Sequence, residues 1–191
     1  MMKQFMLGMG LAALVATPVV FAAEDVVTAV EGTVKKVDAA GKTVVVATAD
    51  GTEHAIHFVK KTSVHGWEAT EAGAKDGMHG VKEGSRVVVH YTEQAGVKTG
   101  RELDKIGEGG LKVMQGTAST VDRGARTIAV KTADGTVTAY KATDRAVVDA
   151  GKFTGKEAEK AGKVTLYYTE EAGKKVVHFF KRDDDKKGSG N

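Results

Sequence analysis

Histidine is the first side chain to test for chemistry. The chain has six. His54, His57, His65, His79 and His90 fall in its first half, and His178 stands alone in the second. Imidazole suits zinc, copper and nickel. His57, His65 and His79 form the best metal-ligand set, because His65 and His79 lie on a segment able to fold over the end of the strand bearing His57. His54 and His57 are three residues apart on an expected strand, so they point to opposite faces. Glu53-His54-Ala55-Ile56-His57 is not the H-E-x-x-H of a helical zinc site. In the second half the matching positions to His54, His57, His65 and His90 are Thr138, Lys141, Asp149 and Tyr167. A metal site is therefore expected in the first half alone. The plainer reading is a set of solvated or edge-packed histidines.

Two further side chains are candidates for binding a ligand. Trp67, the only tryptophan, offers a platform for stacking on a sugar or base, although large aromatics more often fill small cores. His90 is expected on the outward face of its strand. Gly77-Met78-His79-Gly80 has the G-x-x-G spacing of a nucleic-acid clamp, but the flanks read as strand and loop, not helix. Gly107-Glu108-Gly109-Gly110 is followed by no Lys-Ser/Thr and is no phosphate loop. No serine lies in G-x-S-x-G, and the carboxylates scatter over turns and outer faces. With no nucleophile, base and oxyanion donor in view, an enzyme is not expected, and no cofactor is implied.

The elements that hold these residues belong to a chain of 191 residues, 41% hydrophobic and 28% charged, the balance of a globular protein. A net charge of +3 is too weak to argue for nucleic acid. Only the N-terminus is strongly apolar. Lys3, the run Phe5 to Phe21 and Val20-Phe21-Ala22 read as a signal peptide over 1–22, cleaved after Ala22 or Ala23. The expected location is the periplasm or outside the cell, with no integral membrane segment after processing. An envelope protein or a polymer is the class of partner this setting offers. Export permits disulfides, yet there is no cysteine, which also removes thiolate catalysis and zinc–thiolate sites. The tail 183–191 is charged, then flexible in composition, and is expected to be disordered.

One pattern is written twice. Glu31–Thr52 aligns with Gln115–Thr136 at an offset of 84, with 11 of 22 positions identical. Ser85–Gly96 aligns with Gly162–Gly173 at an offset of 77, with 6 of 12 identical. This reads as a tandem duplication: a first domain over 24–106, a joint at 107–110 and a second domain over 111–182. Each copy has five runs rich in Val and Thr, as half-buried strands prefer. Asp50-Gly51 and Asp134-Gly135 sit between the second and third runs, where such dipeptides make tight hairpins. Parity places Val44, Val46, Val87, Val89 and Tyr91 inside the first copy. Ile128, Val130, Val164, Leu166 and Tyr168 take the same role in the second. Ala47/Lys131, Val88/Thr165 and His90/Tyr167 fall on the opposite, wetter face. A longer excursion, Thr62 to Gly84, separates the third and fourth runs and holds a possible helix over Trp67–Lys75.

The expected fold is all-β: two tandem five-stranded antiparallel OB-like barrels, each with an excursion between strands three and four. The spacing from Gly32 to Thr52, repeated from Gly116 to Thr136, resembles exported bacterial OB-like β domains of unknown function. That resemblance implies fold and export, and carries no site residues. The leading functional expectation is a non-catalytic exported or envelope-associated binding module. The alternatives are a histidine-dependent metal-binding protein and an enzyme with an unrecognised carboxylate site.

Overall fold

The computed structural model describes residues 27–182, apart from 69–70, 72–74, 76, 123, 145 and 147–161. The expected signal peptide over 1–22, the tail 183–191, Asp149 and most of the expected Trp67–Lys75 helix lie outside the described residues.

Eleven strands follow one another among the described residues. They are β1 (Val27–Asp38), β2 (Thr43–Ala47), β3 (Glu53–His57), β4 (Ser63–His65), β5 (Arg86–Gln94) and β6 (Val97–Lys105), then β7 (Lys112–Asp122), β8 (Thr127–Lys131), β9 (Val137–Ala142), β10 (Lys163–Glu171) and β11 (Lys174–Arg182). In the first unit β3, β2, β1, β5 and β6 pair in that order, and β3 pairs again with β6 to close the ring. In the second unit β10, β11, β9, β8 and β7 form a closed barrel. This is the expected pair of OB-like barrels, with two departures. The closing pairs, β3–β6 and β9–β11, are parallel while the other pairs of each ring are antiparallel. In addition, the first excursion contributes the short strand β4, which lies parallel on β6.

The alternation of apolar residues decides which face turns inward. Val44, Val46, Ile56, Val87, Val89, Tyr91 and Leu103 fill the first core. Ile128, Val130, Tyr140, Val164, Leu166, Val177 and Phe180 fill the second, with Tyr168 packed at its edge. The two Asp-Gly turns are built alike. Gly51 and Gly135 have φ of +85° and +86°, a conformation glycine reaches without strain. The Asp50 and Asp134 carboxylates each accept the amide of the threonine two residues on, Thr52 or Thr136, at 3.0 Å. Hydrogen bonds from the Thr48 and Thr132 hydroxyls are the main reason both carboxyls sit below their ordinary pKa. Gly32 and Gly116 hold matching places where strands cross closely. A Cβ on Gly32 would lie 2.4 Å from the Ala47 carbonyl oxygen, and one on Gly116 would lie 2.4 Å from Val130 Cγ1.

Of the positions expected on the wetter faces, Ala47 is half-buried and Lys131 exposed, but the others are not wet. Val88, His90, Thr165 and Tyr167 are all buried. Each does point away from its own barrel core, as parity requires. The outward faces of β5 and β10, strands that hold matching places in the two rings, are covered because the barrels dock there. Val88, Leu111, Tyr167 and Phe179 form a third apolar cluster, with Ala29 and Ile106 beside it. The Tyr167 and Phe179 rings lie 5.5 Å apart, and His90 meets Phe179 edge-on at 6.3 Å. At the margin, Lys181 of the second barrel and Arg86 of the first both pair with Glu31. Burial pushes the Glu31 carboxyl up, but hydrogen bonds from Lys181, Tyr167 and Arg86 outweigh it and hold the group below its ordinary value.

Candidate metal centre

Strand β6 supplies the site. Glu102, Leu103 and Asp104 are consecutive, so the outer two share a face. Leu103 is fully buried in the first core, which turns Glu102 and Asp104 outward, toward the second barrel. Across β5 they stand opposite His90 and Val88. Strand β4 then lays His65 directly beside Asp104, its Cα partner on β6. Anchoring by Leu103 fixes the carboxylates, and the β4 pairing brings the imidazole to them.

One donor atom each from His65, Glu102 and Asp104 can be chosen so that all lie within 4.8 Å of one another. His65 Nδ1 is 3.1 Å from Asp104 Oδ1 and 3.8 Å from Glu102 Oε1. His178 of β11 approaches from the other barrel, its Nδ1 3.3 Å from Glu102 Oε1 and 4.0 Å from Asp104 Oδ2. The Asp104 side chain is only 2% exposed and Glu102 11%, whereas His65 is 55% exposed and opens the cluster to solvent. Asp104 Oδ2 is buried and has no hydrogen-bond partner. Buried carboxylate oxygens are nearly always satisfied, and this one is not, beside donors that together could hold a cation.

The spacing fits a metal ion. Zinc held tetrahedrally by nitrogen and oxygen at 2.0–2.2 Å requires ligand atoms about 3.3–3.6 Å apart. The separations to Glu102 Oε1, 3.8 Å from His65 Nδ1 and 3.3 Å from His178 Nδ1, lie at or near that range, and the contacts to Asp104 are 3.1 Å through Oδ1 and 4.0 Å through Oδ2. Two carboxylates also supply the charge that a divalent ion needs.

Among the residues singled out from sequence, only His65 enters this group. His57 and His79 do not join it. The register gives the reason for His57. It pairs with Thr99 on β6, while His65 pairs with Asp104, five residues further along the same strand. Five residues of strand span about 16 Å. His57 Nδ1 instead lies 3.1 Å from the Thr43 hydroxyl. His79 sits exposed in a turn, at φ +49°. Trp67 packs against the first core and lines a cleft of about 500 Å³ with Glu68, Lys82 and Lys105. His90, expected on an exposed face, is buried between the barrels and 1% exposed.

Glu102, Asp104 and His178 were not singled out. One signal was available in the repeat. At the offset of 77, Glu102 and Asp104 align with Phe179 and Lys181, so the first copy carries two outward acids where the second carries neither.

No family model and no curated protein matches the chain. Solved structures of CusF show a slight likeness. The apo form from Escherichia coli, residues 6–88, is 14% identical, with 47% of this chain and 98% of that one covered and a TM-score of 0.33. The silver(I) form from the same organism, residues 10–88, is 16% identical over 44% of this chain and 95% of that one, again with a TM-score of 0.33. A likeness of this size decides nothing about chemistry, which has to be read from this chain's own residues.

Proposed function

We propose that the protein binds a divalent transition-metal ion, with zinc the best geometric fit, through His65, Glu102 and Asp104, and that it does so without catalysis. The observation that carries this reading is the buried, unpartnered Asp104 Oδ2 within a cluster of imidazole and carboxylate donors. A mixed nitrogen and oxygen set with no sulfur suits zinc or copper(II) over soft monovalent ions. Leu103 below and β4 beside the carboxylates pre-arrange the three donors on one barrel. The exposed His65 provides an entry path. The N-terminal apolar run supports an exported setting, where such a protein would hold or carry an ion. This reading gives the generic binding module a ligand class and takes precedence over the unrecognised carboxylate enzyme.

Titration of the full chain with zinc, followed by calorimetry and native mass spectrometry, tests it. One zinc per chain is expected, lost in Asp104→Ala and strongly weakened in His65→Ala. No binding by the parent protein, or binding by both variants as tight as the parent's, would overturn it.

A further inference from the structure

We infer that His178 is the fourth ligand of this ion, so that the metal joins the two barrels and fixes their orientation. The inference rests on the metal reading above and adds to it a residue from the other domain.

The backbone around His178 is unusual. Along the β10–β11 ladder, Tyr167 pairs with Phe179 and Tyr168 pairs with Val177, which leaves His178 as the extra residue of a β-bulge. Bulges re-aim side chains. The matching residue in the first barrel, Arg101, is also the extra one, between the pairs His90–Glu102 and Tyr91–Gly100. The same device therefore carries a different side chain in each copy. In the second barrel it delivers an imidazole to the carboxylates of the first.

The imidazole is held there from behind. His178 Nε2 is 3.0 Å from the Thr169 hydroxyl, and its side chain is 13% exposed. A hydroxyl both donates and accepts. Two tautomers fit these contacts: with Nδ1 protonated the ring donates to Glu102 Oε1 at 3.3 Å, and with Nε2–H accepted by the Thr169 hydroxyl the Nδ1 lone pair faces Glu102 Oε1 and Asp104 Oδ2. A cation among the carboxylates selects the second tautomer, in which Nδ1 is a ligand and Nε2–H stays on the Thr169 hydroxyl. An outer hydrogen bond of this kind is what metal-bound histidines usually have, since it sets tautomer and ring orientation. At 4.0 Å, the Nδ1 to Asp104 Oδ2 separation is too long for a hydrogen bond. It is close to the ligand–ligand edge of a tetrahedral site.

With His178 included, the donors are two nitrogens and two oxygens, three from β4 and β6 and one from β11. On this inference the site expected in the first copy alone is completed by a residue of the second. There is no second such site by symmetry, because the residues equivalent to His178, Glu102 and Asp104 are Arg101, Phe179 and Lys181. An ion held this way ties positions 65 and 178 together, and a clip across so long a loop restricts the open state strongly.

The test uses the full chain with zinc as the probe. In the parent protein, zinc should slow amide exchange in β10 and β11 as well as in β6. His178→Ala should weaken zinc binding by roughly tenfold or more, at least what loss of a ligand's outer hydrogen-bond partner costs, and should abolish the added protection of β10 and β11 while sparing that of β6. Histidine nitrogen NMR of the unmutated protein gives an answer that does not depend on the variant's folding. His178 Nδ1 should shift as a coordinated nitrogen on zinc addition, with Nε2 still protonated. Failure of the parent protein to bind zinc would end the metal reading itself. Binding that His65→Ala weakens but His178→Ala leaves unchanged, with no shift at His178 Nδ1, would overturn this inference alone.

Discussion

Asp104 is the position where a ligand cluster and a structural ion pair make opposite predictions. In the ligand reading, the metal-free protein carries a buried carboxylate oxygen with no hydrogen bond, beside a second carboxylate on the same strand face. An unmade buried hydrogen bond costs about 1–3 kcal/mol. Asp104→Asn removes the charge, keeps an acceptor for His65, and puts an amide donor near His178. In the presence of a chelator it should therefore stabilise the protein by about 1–2 kcal/mol. In the ion-pair reading, the same change breaks a buried pair and should destabilise it by about 3 kcal/mol. With a urea m-value of about 2 kcal/mol/M, the midpoint moves up by roughly 0.5–1 M in one case and down by roughly 1.5 M in the other. Urea unfolding at pH 6, where an imidazole of ordinary pKa about 6.5 still carries charge and the ion pair can form, reads the difference. Trp67 is the only tryptophan and packs on the first core, so its fluorescence follows the barrel that carries Asp104. A midpoint lowered in chelator would refute the argument from the orphaned oxygen. A raised midpoint in chelator should be accompanied by loss of zinc stabilisation.

Two further outcomes follow from other parts of the fold. Glu31 has a lowered pKa and joins both barrels. Its contribution is fully present above its unfolded value of 4.5 and is lost as pH falls through the lower folded value. Glu31→Gln should flatten the fall in thermal midpoint between about pH 5 and 3, and parallel curves for the two proteins would show that Glu31 does not couple to docking. Gly32→Ala would press a methyl group against the Ala47 carbonyl, and should lower stability by about 1–3 kcal/mol in chemical denaturation. An unchanged midpoint would show that the β1–β2 crossing yields easily.

Legibility differs sharply between the barrels and what lies between them. The inner faces follow from alternation, and the turns follow from Asp-Gly, because both are local. Val44 and Ile128, or Gly51 and Gly135, needed no knowledge of the rest of the chain. The outward faces of β5 and β10 are another matter. Alternation says that Val88 and His90 leave one core, and it cannot say whether water or another domain receives them. Glu102 and Asp104 looked like ordinary solvated acids for the same reason. The closing parallel pair sets which residues meet across β6. A shift of five residues separates His57, which misses the carboxylates, from His65, which reaches them. The bulge at His178 is a defect of register between two strands, and register is written in pairs of segments and not in either one.

The joint between the barrels bears on all of this. β6 ends at Lys105 and β7 begins at Lys112. Between them the Leu111 amide bonds the Lys105 carbonyl and the Gly107 amide bonds the Leu111 carbonyl, so the chain turns back at once. A short tether of this kind holds the second barrel at a millimolar effective concentration relative to the first. Two barrels in free solution would need a broad apolar contact to find and keep each other. Two tethered barrels do not, and their shared face can carry acids that would weaken any free association. The connection thus relieves the interface of the task of recognition, and leaves one corner of it open to charge.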